Sequence, residues 1–128
     1  MLMKKVKRNN ILLIDDDEVS HILIEEYLKD TNYNLIATYN GYDGIAKYQE
    51  TKIDVVLLDI NMPVMDGYET LKKLKEIDYS VDVIMCTSDI YSYDRVYKDG
   101  AIGYIVKPFS KEKLLSIIDM ICKLQKVL

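Results

Sequence analysis

Apolar residues fall into five short runs, separated by stretches in which they recur every three or four positions. The runs predict strands at Asn10–Ile14, Asn34–Tyr39, Ile53–Leu58, Val81–Cys86 and Gly103–Val106. Ile53–Leu58 is apolar apart from Asp54, as in a strand covered on both faces of a parallel sheet. The stretches between predict helices. The first, Val19–Leu28, puts Val19, Ile22, Leu23 and Tyr27 near one face. Asn40-Gly41 reads as a turn, followed by a weak helix over Tyr42–Glu50 with Ile45, Ala46 and Tyr48 as its apolar members. The third helix spans Gly67–Ile77, with Asp66 as N-cap and Leu71 and Leu74 inward. The fourth is short, Tyr91–Asp99, and is stopped by Gly100. Ser110 caps the last, which carries Leu114, Ile117, Ile118 and Ile121 at helical spacing. Strict alternation of strand and helix predicts an α/β fold: a doubly wound five-stranded parallel sheet with helices on both faces and right-handed crossovers. In such a sheet the site lies at the carboxyl ends of the strands, where the strand order reverses.

A chain of 128 residues, 49% hydrophobic, suits one domain and needs no disulfide or structural metal to fold. Cys86 and Cys122 lie in apolar stretches without CxxC spacing and read as core residues. No segment has the roughly 18 consecutive apolar residues of a membrane span. The start, with Lys4, Lys5, Lys7 and Arg8, has no apolar run of signal-peptide type behind it, so a cytoplasmic protein is expected. The formal net charge of −4 hides a more acidic body: four of the 17 Lys and Arg lie in that tail, leaving 13 against 21 acids, about −8. Such a body repels phosphate backbones, which argues against direct nucleic-acid binding. Residues 1–9 read as a basic, solvated extension and 10–124 as the folded core of a single domain, 1–128.

The chemistry gathers at the predicted strand ends. The first strand ends in Asp15-Asp16-Asp17-Glu18 and the third in Asp59. In the predicted fold these ends are neighbours, and converging carboxylates resolve their repulsion by sharing protons or by binding a cation. The available ligands are all oxygens, which favours Mg²⁺ or Mn²⁺ over zinc. Taken alone, the four acids would equally suit an acidic first turn favoured by the helix dipole. The fourth strand ends in Thr87-Ser88 and the fifth in Lys107-Pro108. A hydroxyl and an ammonium facing a metal-bound carboxylate can hold the oxygens of a phosphoryl group, and a carboxylate can accept that group as an aspartyl phosphate. Asp59 is the natural nucleophile of this set. His21, just past the acids, reads as a partly exposed helical histidine, and Met62 and Met65 as loop packing.

Val55-Val56-Leu57-Leu58-Asp59-Ile60-Asn61-Met62-Pro63-Val64-Met65-Asp66-Gly67 resembles the phosphoacceptor segment of response-regulator receiver domains of two-component systems. Asp15-Asp16 resembles their acidic pair, Thr87 their switch residue, and Gly103-Tyr104-Ile105-Val106-Lys107-Pro108-Phe109 the end of their last strand. The resemblance runs from about Asn10 to Leu124 and implies the (βα)5, flavodoxin-like or CheY-like fold. It implies phosphorylation of Asp59 by a histidine kinase or phosphotransfer protein. It also implies a Mg²⁺ (or Mn²⁺) site made by Asp16, Asp59 and the Asn61 carbonyl, with Asp15 acting through water. Thr87 and Lys107 would contact the phosphoryl oxygens, Tyr104 would swing inward when Thr87 is drawn to the phosphate, and the Lys107-Pro108 bond would be cis. Asn61 and Asp89 stand where dephosphorylation is tuned in the family, and imply a phosphoryl lifetime that is not extremely long. The helix before Tyr104 is about two residues shorter than usual, Ser88 stands where Ala is common, and Asp89–Asp94 is tyrosine-rich. Tyr91, Tyr93 and Tyr97 could form a partner patch or pack that short helix on the sheet. Output to an unknown protein would use the face of the fourth helix, fifth strand and fifth helix.

The leading expectation is therefore a regulatory module and not an enzyme, catalysing only its own aspartyl phosphorylation and dephosphorylation. It would be a stand-alone receiver or a piece of a larger regulator with a DNA-binding or enzymatic output. Two other classes compete. Asp15-x-Asp17-x-Val19 loosely fits the nucleophile pattern of haloacid-dehalogenase-type phosphatases, but leaves Asp59, Thr87 and Lys107 without a role. A flavodoxin-like cofactor binder needs a phosphate-cradling loop after the first strand, where four acids would repel the phosphate.

Overall fold

The computed structural model describes residues 8–127, so the expected basic extension lies outside the described residues except for Arg8 and Asn9. Asn9 belongs to the sheet. Strands and helices alternate in the order β1 (Asn9–Ile14), α1 (Glu18–Leu28), β2 (Tyr33–Thr38), α2 (Gly41–Glu50), β3 (Val55–Asp59), α3 (Gly67–Ile77), β4 (Val83–Thr87), α4 (Tyr93–Lys98), β5 (Gly103–Val106) and α5 (Lys111–Val127). A 3₁₀ turn, Ile90–Ser92, precedes α4. All strand pairs are parallel, in the order β2-β1-β3-β4-β5.

The two-residue period of the strands divides the core into two layers. Ile11, Leu13, Val55, Leu57, Ile84, Cys86 and Ile105 face Ile24 and Leu28 of α1 and Leu114, Ile118, Ile121 and Cys122 of α5. Leu12, Ile14, Val56, Leu58, Val83 and Met85 face Leu71 and Leu74 of α3 and Val96 of α4, with Ile45 and Tyr48 of α2 packed at the edge. Each fully buried Leu or Ile contributes about 1.5–3 kcal/mol through the hydrophobic effect. Both cysteines are free and buried, as their apolar surroundings predict.

Three local expectations need correction. The face of α1 carrying Val19, Ile22 and Leu23 does not pack inward: Val19 is 68% and Ile22 60% exposed, and the buried residues are Ser20, His21, Ile24 and Leu28. The helix begins at an N-cap, Asp17, whose side chain accepts from Val19 N–H. Ile24 and Leu28, four residues apart, lie over the sheet, with Ser20 and His21 on the same side of the helix. Asn40-Gly41 is a helix cap rather than a turn. Asn40 is extended and its side chain accepts from Asp43 N–H at 2.8 Å. Third, the fourth helix is split, with Asp89 capping the 3₁₀ turn and a single short α-helical segment following. It ends at Gly100, whose φ of +102° suits only glycine without strain.

Candidate functional site

The sheet order reverses between β1 and β3, since β2 lies to one side of β1 and the rest of the chain to the other. Ile14 pairs with Leu58, so the residues that follow each strand's apolar run, Asp15 and Asp59, emerge side by side. Asp15, Asp16 and Asp59 offer carboxylate oxygens that all lie within 4.8 Å of one another. Asp15 is 1% exposed and Asp59 7%, while Asp16 faces solvent.

Two groups offset the repulsion. Asp17 N–H donates to Asp15 Oδ1 at 2.8 Å. From the end of β5, the Lys107 ammonium donates to Asp15 Oδ2 at 2.8 Å and Asp59 Oδ1 at 3.4 Å. Lys107 is aimed by its backbone, whose N–H donates to Thr87 O at 2.7 Å, and is followed by a cis bond to Pro108. Burial draws the Lys107 pKa down, but the hydrogen bond and charge of Asp15 and the charge of Asp59 outweigh it, and the net displacement is upward. Lys107 is therefore a full cation at neutral pH.

Asp59 is pushed up to about 6, first by burial and then by the charge of Asp15, with Lys107 pulling the other way. A carboxyl whose folded pKa is raised costs stability when it ionises. The penalty is absent below about pH 4, the ordinary carboxylate range, and complete above about pH 6. In EDTA at neutral pH, Asp59→Asn should raise the unfolding free energy by about 1–2 kcal/mol, less than the full shift because water reaches the mouth of the site. Urea denaturation checks it, and the gain should vanish in acid.

The donor set is all oxygen, partly open and shared by three carboxylates, and it fits a hard divalent cation. Backbone packing holds it in place. Gly67 N–H donates to Ile60 O at 2.7 Å, and a Cβ at Gly67 would lie 2.7 Å from Ile60 Cα, so the β3–α3 loop folds tightly over the strand end. Val64, in the same loop, is exposed and has a φ of +71°, a strained conformation for a β-branched residue.

The model for the response regulator receiver domain matches residues 11–119. The chain belongs to this family. It is 36% identical to the chemotaxis protein CheY of Listeria monocytogenes over 117 residues, 88% of this chain and 98% of that one. It is 38% identical to the probable transcriptional regulator ycf29 of Porphyra purpurea over 113 residues, 85% of this chain and 54% of that one. The chain thus spans about half the length of that regulator and nearly all of CheY. Among solved structures, CheY4 of Vibrio cholerae superposes with a TM-score of 0.84 at 28% identity, covering 90% of this chain and 99% of that one. Receiver domains are regulatory signalling domains of two-component systems.

The remaining expected residues of the receiver divide into two groups. Thr87 is buried at the end of β4, one position beyond the pair formed by Asp59 and Cys86, and its Oγ1 accepts from Asp89 N–H at 3.1 Å. Asn61 is exposed in the loop after β3. Tyr104 and Asp89 point elsewhere. The Tyr104 hydroxyl donates to Asp89 O, and its ring meets Tyr93 edge-on at 5.8 Å, which in turn meets Tyr97 at 5.0 Å. The Asp89 carboxylate accepts from Tyr91 N–H at 2.8 Å and Ser92 Oγ at 2.7 Å. Of the tyrosines, Tyr93 and Tyr97 pack against each other while Tyr91 is 90% exposed. Met62 and Met65 are buried, as loop packing requires.

His21 is not half-exposed. It is buried, its Nε2 lies 2.7 Å from Asp15 O, and its ring stacks flat on Tyr39 at 4.0 Å. Ser20 is buried beside it, with its Oγ 3.2 Å from Lys107 Nζ. Sequence reasoning passed over Ser20 and took His21 to be partly exposed.

Proposed function

We propose that this receiver accepts a phosphoryl group on Asp59 from the phosphohistidine of a histidine kinase or phosphotransfer protein, and thereby switches its hold on a protein target. The observation that carries the reading is the Lys107 ammonium bridging Asp15 and Asp59 beside the exposed Asp16. Asp15, Asp16, Asp59 and the Asn61 carbonyl would hold Mg²⁺ (or Mn²⁺), which when bound supplies positive charge for the phosphoryl oxygens. A carboxylate oxygen of Asp59 forms the bond to phosphorus as the phosphorus–nitrogen bond breaks, and the leaving imidazole keeps the electron pair. Lys107 neutralises a phosphoryl oxygen, and Thr87 turns its hydroxyl toward another. In leaving Asp89 N–H, Thr87 makes room for Tyr104 to turn inward, away from Tyr93. Asn61 and Asp89 tune hydrolysis, Asp89 once its cap on the 3₁₀ turn loosens.

The exposed Val19 and Leu23 suit docking of the donor. With Ser88, Pro108 and Phe109 they border a groove of about 310 Å³ that opens beside Lys107. The target would meet the α4–β5–α5 face, where Tyr91 and Tyr97 are exposed. The acidic body argues against direct contact with nucleic acid, and among the described residues no helix is long and apolar enough to cross a membrane. Residues 1–128 would act as one receiver unit, in the cytoplasm.

Intact-mass spectrometry after incubation with acetyl phosphate tests the proposal. Wild type with Mg²⁺ should gain one phosphoryl group, and neither wild type in EDTA nor Asp59→Asn should gain any. Absence of the adduct in wild type would sink the phosphoacceptor reading, and an adduct that survives in Asp59→Asn would move the nucleophile to Asp15 or Asp17.

A further inference from the structure

An ammonium has three N–H donors, and three oxygens surround that of Lys107: Asp15 Oδ2 at 2.8 Å, Ser20 Oγ at 3.2 Å and Asp59 Oδ1 at 3.4 Å. Two belong to the carboxylate cluster. The third is a neutral hydroxyl brought in by α1, on a residue only 8% exposed. Its own proton has a destination, Asp17 Oδ2 at 3.4 Å, and Asp17 is fixed because its other oxygen caps α1 through Val19 N–H at 3.1 Å. With the proton drawn to Asp17, the lone pairs of Ser20 face Lys107.

We infer that Ser20 is a positioning residue for Lys107, holding the ammonium at the mouth of the site while the carboxylates are engaged elsewhere. The inference rests on the phosphoacceptor reading above. Asp15, Asp16 and Asp59, if they held a divalent cation, would give up to it the negative charge that otherwise holds Lys107, and the ammonium would feel its repulsion directly. Ser20 is neutral, so its hold does not depend on that charge. It is also a weaker acceptor than a phosphoryl oxygen, so one N–H can stay on Ser20 while the others turn to the incoming group. A carboxylate in its place would compete for the ammonium. An aliphatic side chain would leave an N–H unpaired and the long stem free to swing.

The test uses Ser20→Ala, Ser20→Thr, Lys107→Ala and the double variant Ser20→Ala/Lys107→Ala. Alanine is the best helix former, so the fold of Ser20→Ala is not at risk. At saturating Mg²⁺, Ser20→Ala should slow labelling by acetyl phosphate roughly fivefold, the factor carried by one hydrogen bond, with Mg²⁺ affinity by tyrosine fluorescence unchanged. Ser20→Thr should restore the rate. Ser20→Ala should add nothing in the Lys107→Ala background, because the effect passes through Lys107. Wild-type speed in Ser20→Ala, or an undiminished loss on top of Lys107→Ala, overturns the inference. A second reading needs no phosphorylation: the ¹⁵Nζ resonance of Lys107 in metal-free protein should move in Ser20→Ala and return in Ser20→Thr. An unmoved resonance also overturns it. Wild type that takes no phosphoryl group while this resonance responds would sink the phosphoacceptor reading and leave the Ser20–Lys107 contact standing.

Discussion

Lys107→Ala should lower the stability of the metal-free protein by about 2–3 kcal/mol at neutral pH and slow phosphorylation of Asp59 about a hundredfold or more. The stability loss arises because the variant leaves Asp15, almost without solvent access, facing Asp59 with no cation between them. Removing one member of a buried ion pair costs more than the pair itself is worth, since the partner's charge stays desolvated. The pH dependence has a definite sign. Lys107 is held protonated by its neighbours, so it stays a cation throughout the acid and neutral range, and on the alkaline side its contribution is lost only as it deprotonates. Its removal, however, raises Asp59 above its present value of about 6, and a protonated Asp59 no longer repels Asp15. The destabilisation should therefore shrink as pH falls from neutral toward 6, and Mg²⁺ should recover part of it at neutral pH. Urea titrations with and without Mg²⁺ at several pH values read all of this. A variant equally stable at neutral pH without metal would show that the ammonium does not hold the cluster.

Gly67→Ala should cost about 2–4 kcal/mol and reduce phosphorylation at least tenfold, although Gly67 bears no functional group. Its added Cβ would meet backbone only: the Asp59 carbonyl oxygen, Ile60 Cα at 2.7 Å and the Asp59 carbonyl carbon at 3.0 Å. None of these can move without shifting the end of β3, and with it the carboxylate of Asp59. The Gly67 N–H bond to Ile60 O ties the same two segments together. Gly103→Ala is the control. There the nearest atom is the tip of the Ile117 side chain at 2.8 Å, which can rotate away, so a smaller loss of about 1 kcal/mol with near-normal phosphorylation is expected. Equal losses in the two variants would show that the β3–α3 contact does not position Asp59.

Elements whose ends carry their own chemistry were legible one residue at a time. Helix α3 begins at Gly67 because the Asp66 side chain accepts from Glu69 N–H, and that cap is visible in the chain as Asp66 ahead of an apolar period. β5 is bounded by Gly103 and by the residue before Lys107-Pro108. The cluster was legible for a different reason: parallel strands that alternate with helices must bring their carboxyl ends to one edge, so acids ending β1 and β3 converge whatever their separation along the chain.

The choice among equivalent faces was not legible. Along α1, apolar residues lie on two sides: Val19, Ile22 and Leu23 on one, Ile24 and Leu28 on the other. Periodicity reports both stripes and ranks neither, because hydrophobicity alone does not say which stripe meets the sheet. Tertiary contacts decide it, by satisfying His21 on Asp15 O and Tyr39 and Ser20 on Lys107, so that two polar residues can be buried and an apolar stripe left outside. The split of the fourth helix has the same character: Asp89 satisfies two donors of a 3₁₀ turn that helix propensity cannot foresee, and Tyr104 settles against Tyr93 across that turn. The sequence by itself determined the alternation of elements, the parallel sheet and the acidic edge, since these follow from local period and chain connectivity. The phase of α1, the burial of Ser20 and His21, and the outward place of Tyr104 were decided only in the tertiary structure, because each depends on hydrogen bonds between residues that only the folded sheet brings together.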